Sequence, residues 1–230
     1  MRIHGLQKMT LLDYPGNVAC TVFSGGCNMR CPFCHNAPLV THLNDTPLID
    51  ENEVLSFLST RKGLLDGVCF TGGEPLLQPD IASFIKKVRA FGYKIKLDTN
   101  GTFPDKLEEL VGDGLIDYVA IDIKNTFEKY PETVGIKNFD VTPVKRSIDF
   151  LMKSDIEYEF RTTVVKEFHT VEDIEKIAEY IKGSKGYFLQ NFTDSGDLIG
   201  DNLHPHDKGT MYEMLEKVQK YVNISAIRGI

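Results

Sequence analysis

This chain lacks long apolar runs and an excess of basic charge, and its N-terminal residues lack the pattern of a secretory signal. Each absence argues against one class of protein. None of its 230 residues belongs to an apolar run of about 20, the length that a membrane-spanning helix requires. The formal net charge is −7, so we expect no general surface for nucleic acid or for an anionic membrane. The N-terminal residues lack the apolar core of a secretory signal, which favours a cytoplasmic protein.

Cysteine is scarce as well. The five cysteines are an odd number, and thiols stay reduced in the cytosol, so a disulfide framework is not expected. Cys20 and Cys69 lie in apolar stretches, and we interpret them as small buried hydrophobic residues. The other three cysteines all lie in the segment CNMRCPFCHN, residues 27–36, which therefore carries most of the functional information.

The spacing C-x3-C-x2-C in this segment is compatible with four kinds of site. Residues Cys31 to His35 match the motif for covalent haem attachment, but such attachment normally needs export. Cys31 and Cys34 match a thioredoxin-like motif, but that interpretation leaves Cys27 unexplained. A structural zinc site would need a fourth ligand, although a catalytic zinc with three thiolates and a water stays open. Three thiolates can instead hold three irons of a [4Fe–4S] cluster, whose fourth iron would be open to a small chelating ligand.

The rest of the chain alternates between strand and helix patterns, which predicts parallel βαβ units. We expect an α/β fold with six or seven such units, a partial (β/α)6-type TIM barrel with parallel strands. Residues 1–230 are expected to form a single domain with a lead-in over residues 1–16. The predicted strands are 18–23, 67–70, 94–97, 118–121, 158–165, 187–190 and 224–227. The predicted helices cover about 51–65, 81–91, 104–111, 142–154, 171–181 and 208–221, and Asp50, Asp80 and Thr170 are the predicted N-caps of the first, second and fifth of them.

Four polar motifs each follow directly after a predicted strand. They are the cysteine segment, Thr71–Pro75 (TGGEP), Asp98–Gly101 (DTNG) and Asp122–Lys124 (DIK). Ligands bind at the carboxyl ends of the strands in parallel α/β folds. The sequence therefore predicts that these motifs meet at one site.

The cysteine segment, with an aromatic residue directly before the third cysteine, resembles the signature of the radical S-adenosylmethionine (SAM) enzymes, and TGGEP after the next strand strengthens that resemblance. It implies that the thiolates of Cys27, Cys31 and Cys34 hold one [4Fe–4S] cluster whose open iron binds SAM. The reduced cluster would pass an electron to the sulfonium, and the resulting 5′-deoxyadenosyl radical would remove a hydrogen atom from the substrate. The cofactors would carry the chemistry, while the protein binds, orients and excludes water.

Within that superfamily the chain is most similar to glycyl-radical-enzyme activases, in particular those of anaerobic ribonucleoside-triphosphate reductase. This resemblance covers essentially the whole chain and includes Asp13–Gly16 (DYPG), Cys34–Asn36, DTNG, DIK and Arg161. It implies a protein substrate, the glycine-bearing loop of a glycyl-radical enzyme, and flavodoxin or ferredoxin as the electron donor. Alternatives are an activase of pyruvate formate-lyase type, a radical SAM enzyme acting on a small molecule, and a non-catalytic metal or thiol-redox protein.

The resemblance also implies roles for individual residues. The implied SAM contacts are Phe33, His35, Gly72, Gly73, Glu74, Asp98, Thr99, Asn100, Asp122, Lys124, Arg161 and Thr193. Among these, Asp98, Thr99 and Asp122 resemble a group that holds a monovalent cation near the SAM carboxylate, which Lys124 and Arg161 would contact. Asp13 resembles a residue that meets the partner's glycyl loop.

Two features depart from related activases. Pyruvate formate-lyase activases carry a histidine after the sixth barrel strand, where this chain has Gln190–Thr193 (QNFT), with Thr193 the nearest equivalent. Many other glycyl-radical activases insert a cysteine-rich module for extra clusters, for which this chain has too few cysteines. The first departure favours the reductase-type activases over the formate-lyase type, or means that Asn191 or Thr193 takes the role of the histidine.

Overall fold

The computed structural model describes all residues, 1–230, and contains eight strands. The strands are β1 (Ile3–Thr10), β2 (Ala19–Ser24), β3 (Gly67–Gly72), β4 (Lys94–Thr99), β5 (Tyr118–Asp122), β6 (Glu157–Val164), β7 (Tyr187–Asn191) and β8 (Ser225–Arg228). The helices are α1 (Pro38–Thr41), α2 (Glu51–Ser59), α3 (Ile81–Arg89), α4 (Pro104–Gly112), α5 (Tyr130–Thr133), α6 (Thr142–Lys153), α7 (Val171–Tyr180) and α8 (Lys208–Val218), with a short 3-10 helix at Pro75–Leu77. None of the helices is both long enough and apolar enough to span a membrane.

The strands belong to one sheet in the order β1 to β8. β2 pairs with β3, β3 with β4, β6 with β7 and β7 with β8, all in parallel. The exception is β1, which pairs antiparallel to β2 and which the sequence analysis did not recognise as a strand. The predicted α/β class with parallel strands is confirmed, and the lead-in adds one antiparallel strand to it.

By its internal contacts the chain divides into two compact units. The first unit comprises residues 1–28, 38–99 and 103–119, and the second comprises 29–37, 100–102 and 120–230. In the first unit, Phe70 of β3 packs edge-on against Phe84 of α3, with both rings fully buried. In the second, Phe160 and Tyr187 are fully buried on the paired strands β6 and β7. Each unit thus has aromatic residues in its own apolar interior.

Helix starts agree with the sequence at two of three predicted caps. Asp50 accepts a hydrogen bond from the backbone N–H of Asn52 at the start of α2, and Thr170 forms a reciprocal capping box with Asp173 at the start of α7. The prediction that Asp80 caps α3 is wrong, because its side chain makes no capping hydrogen bond and instead pairs with the N-terminal ammonium. Helix α2 also ends at Ser59, six residues before the predicted end.

Candidate active site

The TGGEP motif packs against the start of the cysteine segment within the first unit. The backbone N–H of Gly73 donates to the carbonyl of Ser24 at 2.9 Å, and that of Glu74 donates to the carbonyl of Gly26 at 2.8 Å. A Cβ added to Gly72 would lie 2.4 Å from the Ser24 carbonyl oxygen, and one added to Gly73 would lie 2.0 Å from the Gly26 carbonyl oxygen. The two glycines are therefore required by backbone packing directly before Cys27.

Glu74 and Thr99 are joined by a hydrogen bond. The Glu74 side chain is fully buried, and one of its carboxylate oxygens accepts from the Thr99 hydroxyl at 2.8 Å and from the Leu76 backbone N–H at 2.9 Å. The structure thus brings together two predicted SAM contacts from the ends of β3 and β4. A buried carboxylate with two hydrogen-bond donors is held in one orientation.

A buried lysine that the sequence analysis missed lies beside Asp98. The ammonium of Lys96 forms an ion pair with a carboxylate oxygen of Asp98, and both residues belong to β4. The Lys96 side chain is 1% exposed and that of Asp98 is 11% exposed. Residues two apart share one face of a strand. The available signal was a lysine flanked by the apolar residues Ile95 and Leu97.

Backbone contacts fix residues 29–37 within the second unit. The Arg30 backbone N–H donates to the carbonyl of Val134 at 2.9 Å, and the Gly200 N–H donates to the carbonyl of Pro32 at 2.8 Å. A Cβ on Gly135, whose φ is +68°, would lie 2.4 Å from the Arg30 carbonyl oxygen. Contacts from two separate loops therefore determine the path of the chain that carries Cys31 and Cys34.

The aromatic and imidazole rings of the cysteine segment are also fixed in the second unit. Phe33 is buried against the rings of Phe168 and His169, at centroid distances of 5.7 and 6.3 Å. His35 is exposed, stacks on Phe192 at 5.9 Å and donates through Nε2 to the Thr193 carbonyl at 2.9 Å. The backbone of Thr193 therefore positions His35, while a contact of either residue with SAM stays a prediction.

Asp122, Lys124 and Arg161 form a charged group at the end of β5 and in the middle of β6. Arg161 donates twice to the Asp122 carboxylate, at 3.1 and 3.3 Å, and the Lys124 ammonium lies 3.6 Å from it. Burial disfavours the charged form of Lys124, but Asp122 and the thiols of Cys31 and Cys34 raise the pKa of its ammonium above the usual value. The structure thus brings Lys124 and Arg161, the predicted contacts to the SAM carboxylate, together with Asp122, a predicted ligand of the monovalent cation.

Two further residues extend this charged group and were missed by the sequence analysis. Glu159, almost fully buried on β6, lies 3.9 Å from Arg161 and accepts from both terminal nitrogens of Arg228 on β8, at 3.0 and 2.8 Å. The five side chains carry three positive charges (Lys124, Arg161, Arg228) and two negative ones (Asp122, Glu159), a net formal charge of +1. Strand pairing brought Glu159 and Arg228 together, and no sequence motif indicated this.

Two predicted site residues make local contacts. The side-chain oxygen of Asn100 accepts from the backbone N–H and the hydroxyl of Thr102, which forms a turn after β4. Asp13 accepts from the hydroxyl of Thr21, which is fully buried in β2, at 2.5 Å. Both residues therefore have structural roles, and their predicted contacts with SAM and with a partner stay predictions.

The chemistry of the thiols fits an iron–sulfur cluster. All five cysteines are free, and Cys20 and Cys69 are fully buried in strands, where burial raises the pKa of the Cys20 thiol to about 12. Burial also raises the pKa of the Cys34 thiol, while Lys124 favours its thiolate. The structure holds no group of three His, Cys, Asp or Glu side chains placed so that they could hold a metal ion. Ligation by Cys27, Cys31 and Cys34 is therefore a proposal based on their spacing and thiol chemistry.

Comparisons with known proteins agree with this chemistry. The model of the radical SAM superfamily matches residues 21–181, which is more than half of the chain. A Methanocaldococcus jannaschii protein named "Putative glycyl-radical enzyme activating enzyme" is 34% identical over 237 residues, covering 99% of this chain and 96% of that protein. A pyruvate formate-lyase-activating enzyme from Clostridium pasteurianum is 30% identical, covering 96% of each.

A solved structure supports the same fold. The crystal structure of Streptococcus suis SuiB superposes with a TM-score of 0.71 at 15% identity, covering 89% of this chain and 47% of that one. At this level of identity the similarity shows the fold alone. The superfamily implies one [4Fe–4S] cluster and SAM as cofactors. The chain belongs to the radical SAM superfamily and is an enzyme whose relatives include glycyl-radical-enzyme activating enzymes.

Proposed function

We propose that this chain is an activase that generates a glycyl radical on a partner enzyme. The observation that carries the proposal is the near full-length similarity to a protein named as a glycyl-radical enzyme activating enzyme. When bound, the reduced cluster and SAM supply a carbon radical that can remove a hydrogen atom from a glycine Cα. The radical left on the glycine would then serve the partner's own catalysis.

The residues of the site have the properties that this reaction needs. Cys27, Cys31 and Cys34 would ligate three irons of the cluster. The charged group of Asp122, Lys124, Glu159, Arg161 and Arg228 carries one net positive charge, which suits the single carboxylate of SAM. Burial of Glu74 and its bond to Thr99 fix the motif that would orient the methionyl amine.

The partner that we propose is an anaerobic ribonucleotide reductase, with flavodoxin or ferredoxin as the electron donor. Residues 190–193 lack the histidine that the resemblance places there in pyruvate formate-lyase activases, and the chain has no cysteines for additional clusters. The second candidate is an activase of pyruvate formate-lyase type, which the 30% identity to the Clostridium pasteurianum enzyme favours. A radical SAM enzyme acting on a small molecule is the third, since a 7-carboxy-7-deazaguanine synthase from Thermoplasma acidophilum is 28% identical over 76% of this chain.

The first experiment measures SAM cleavage. The cluster is reconstituted without oxygen and reduced, SAM is added, and 5′-deoxyadenosine and methionine are quantified for wild type and for Cys31→Ala. We expect cleavage by wild type only. A protein with a full iron complement that releases no 5′-deoxyadenosine would contradict the proposed function, and metal-dependent activity that survives Cys27→Ala would favour a thiol-redox protein.

The second experiment identifies the substrate. Candidate reductase and formate-lyase partners are incubated with the reduced enzyme and SAM, and a glycyl radical is sought by EPR. A doublet on the reductase that disappears when its radical glycine is replaced by alanine is the expected result. A radical on the formate-lyase alone would favour an activase of pyruvate formate-lyase type. SAM cleavage that is stimulated by a metabolite and by neither protein would favour a radical SAM enzyme acting on a small molecule.

A further inference from the structure

The residues at the end of β4, in the first unit, do not fit the predicted monovalent-cation site. Asp98 and Thr99 were expected to supply two of its oxygen ligands. In the structure a carboxylate oxygen of Asp98 is paired with the Lys96 ammonium. An ammonium ion-paired with a carboxylate already supplies the positive charge that a bound Na⁺ or K⁺ would bring.

The ion pair of Lys96 with Asp98 is buried, in contrast to an exposed surface ion pair. Its side chain is 1% exposed, and its ammonium lies 5.8 Å from the centre of the Tyr118 ring, on the face of the sheet where Cys69 is its β3 neighbour. A charge this deeply buried is tolerated only where an opposite charge pairs with it. The strand itself fixes the pair, since Lys96 and Asp98 are two residues apart on one face of β4.

We propose that Lys96 is the resident counter-cation of Asp98, so that no alkali metal ion is bound at this carboxylate. This inference rests on the proposed function, because Asp98 is a SAM contact only within it. Lys96 is a positioning residue: its ion pair holds the Asp98 carboxylate in one orientation. SAM binding by this chain is then independent of Na⁺ and K⁺.

The test compares SAM binding in different salts. Equilibrium dialysis of radiolabelled SAM against the anaerobic, cluster-loaded enzyme is performed in KCl, NaCl and choline chloride at equal ionic strength, which keeps screening constant. We expect the Kd of wild type for SAM to change less than about twofold between the salts. The Kd of Lys96→Met should rise about tenfold in choline chloride, which is the loss expected when one charged contact is removed. In KCl the affinity of this variant should recover in part. Lys94→Met, which removes an exposed lysine of the same strand, is the matched control and should behave as wild type.

A second measurement does not depend on SAM binding. Crystals of wild type and Lys96→Met are soaked in RbCl, and anomalous scattering locates Rb⁺. We expect no Rb⁺ within bonding distance of Asp98 in wild type and an occupied position in Lys96→Met. Rb⁺ at Asp98 in wild type would overturn the proposal about Lys96 even if the enzyme failed to bind SAM. The crystal experiment therefore distinguishes failure of this proposal from failure of the proposed function.

The variant itself can fail to fold, because removing one partner of a buried pair leaves an uncompensated charge. The double variant Lys96→Met/Asp98→Asn removes both charges and should fold. If it binds no Rb⁺ and its SAM affinity does not depend on salt, the result supports the pairing. A wild-type Kd that rises tenfold when KCl is replaced by choline chloride would overturn it.

Discussion

At the scale of single residues, the glycines of the TGGEP motif are constrained by neighbouring backbone. The missing Cβ of Gly73 would meet the Gly26 carbonyl oxygen at 2.0 Å, a separation that real Cβ atoms do not adopt. Either the TGGEP turn or the chain leading into Cys27 would have to move to accept a side chain. The motif therefore fixes the start of the cysteine segment independently of any contact with SAM.

Gly73→Ala should lower the free energy of unfolding by about 1–3 kcal/mol, the usual cost of overpacking a close contact. It should also reduce the iron bound per chain after reconstitution, because Cys27 follows the displaced backbone. Urea denaturation of the apo protein and iron analysis measure the two effects. Gly112→Ala is the matched control: no atom lies within 4 Å of its Cβ position, and the substitution should be neutral or stabilising by about 0.4–1 kcal/mol. A Gly73→Ala protein with wild-type stability and iron content would contradict this explanation.

His169 makes stability depend on pH. Its Nε2 donates to the Lys124 carbonyl at 2.7 Å, so its Nδ1 is the acceptor for the Val165 backbone N–H at 3.1 Å, and burial lowers the pKa of the imidazole. The folded protein binds the proton less tightly than the unfolded chain. Stability is therefore full above the ordinary imidazole pKa of about 6.5 and is lost as the pH falls below it.

The free energy of unfolding of the apo protein, measured from pH 8 to pH 5, should fall below pH 6.5 by up to about 1.4 kcal/mol per pH unit from this one group. His169→Asn should remove that part of the slope, whereas His42→Asn, at an exposed position, should retain it. Equal slopes for wild type and His169→Asn would show that another group titrates.

At the scale of elements, helix α7 begins at a capping box that also carries an ion pair. The Thr170 hydroxyl accepts from the Asp173 backbone N–H, the Asp173 carboxylate accepts from the Thr170 N–H, and Lys129 pairs with the same carboxylate at 2.6 Å. Lys129 directly precedes α5, so one carboxylate joins the start of α7 to the loop after β5. The capping box was visible in the sequence only in part, because Thr170 alone was predicted.

Thr170→Ala should cost about 1 kcal/mol of stability, the typical value for loss of an N-cap hydroxyl. The loss should be accompanied by faster hydrogen exchange in the first turn of α7. Thr170→Ser retains the hydroxyl and should behave nearly as wild type. An equal loss for both substitutions would mean that the threonine methyl group, and not the cap, provides the stabilisation.

At the scale of the whole molecule, cluster binding should stabilise the fold. A ligand that binds only the folded state stabilises it by about 2.7 kcal/mol at a hundredfold excess over its Kd. We expect anaerobic reconstitution to raise the Tm of wild type and to leave that of Cys31→Ala unchanged. Cys69→Ala removes a buried strand cysteine, so it should lower the Tm of the apo protein yet keep the rise on reconstitution. A rise in Cys31→Ala would show that iron binds elsewhere.

The sequence by itself determined the fold class and predicted the chemistry of the cysteine segment. Alternating strand and helix patterns predicted seven of the eight strands, because burial on both faces makes parallel strands apolar throughout. Spacing within a short segment predicted a thiolate site, since Cys27, Cys31 and Cys34 are close in the chain itself. The comparisons then confirmed the superfamily.

Only the tertiary structure decided how the charged groups are paired. Glu159 is far from Arg228 in the chain, and Glu74 is far from Thr99. Each pair meets because strands and their ends lie side by side in the sheet. Strand β1 was missed because its partly exposed residues do not show the apolar run of a buried strand. A lysine and an aspartate two residues apart on a strand are common on protein surfaces. Only the tertiary structure shows that Lys96 and Asp98 are buried, so that their charges must be paired within the protein.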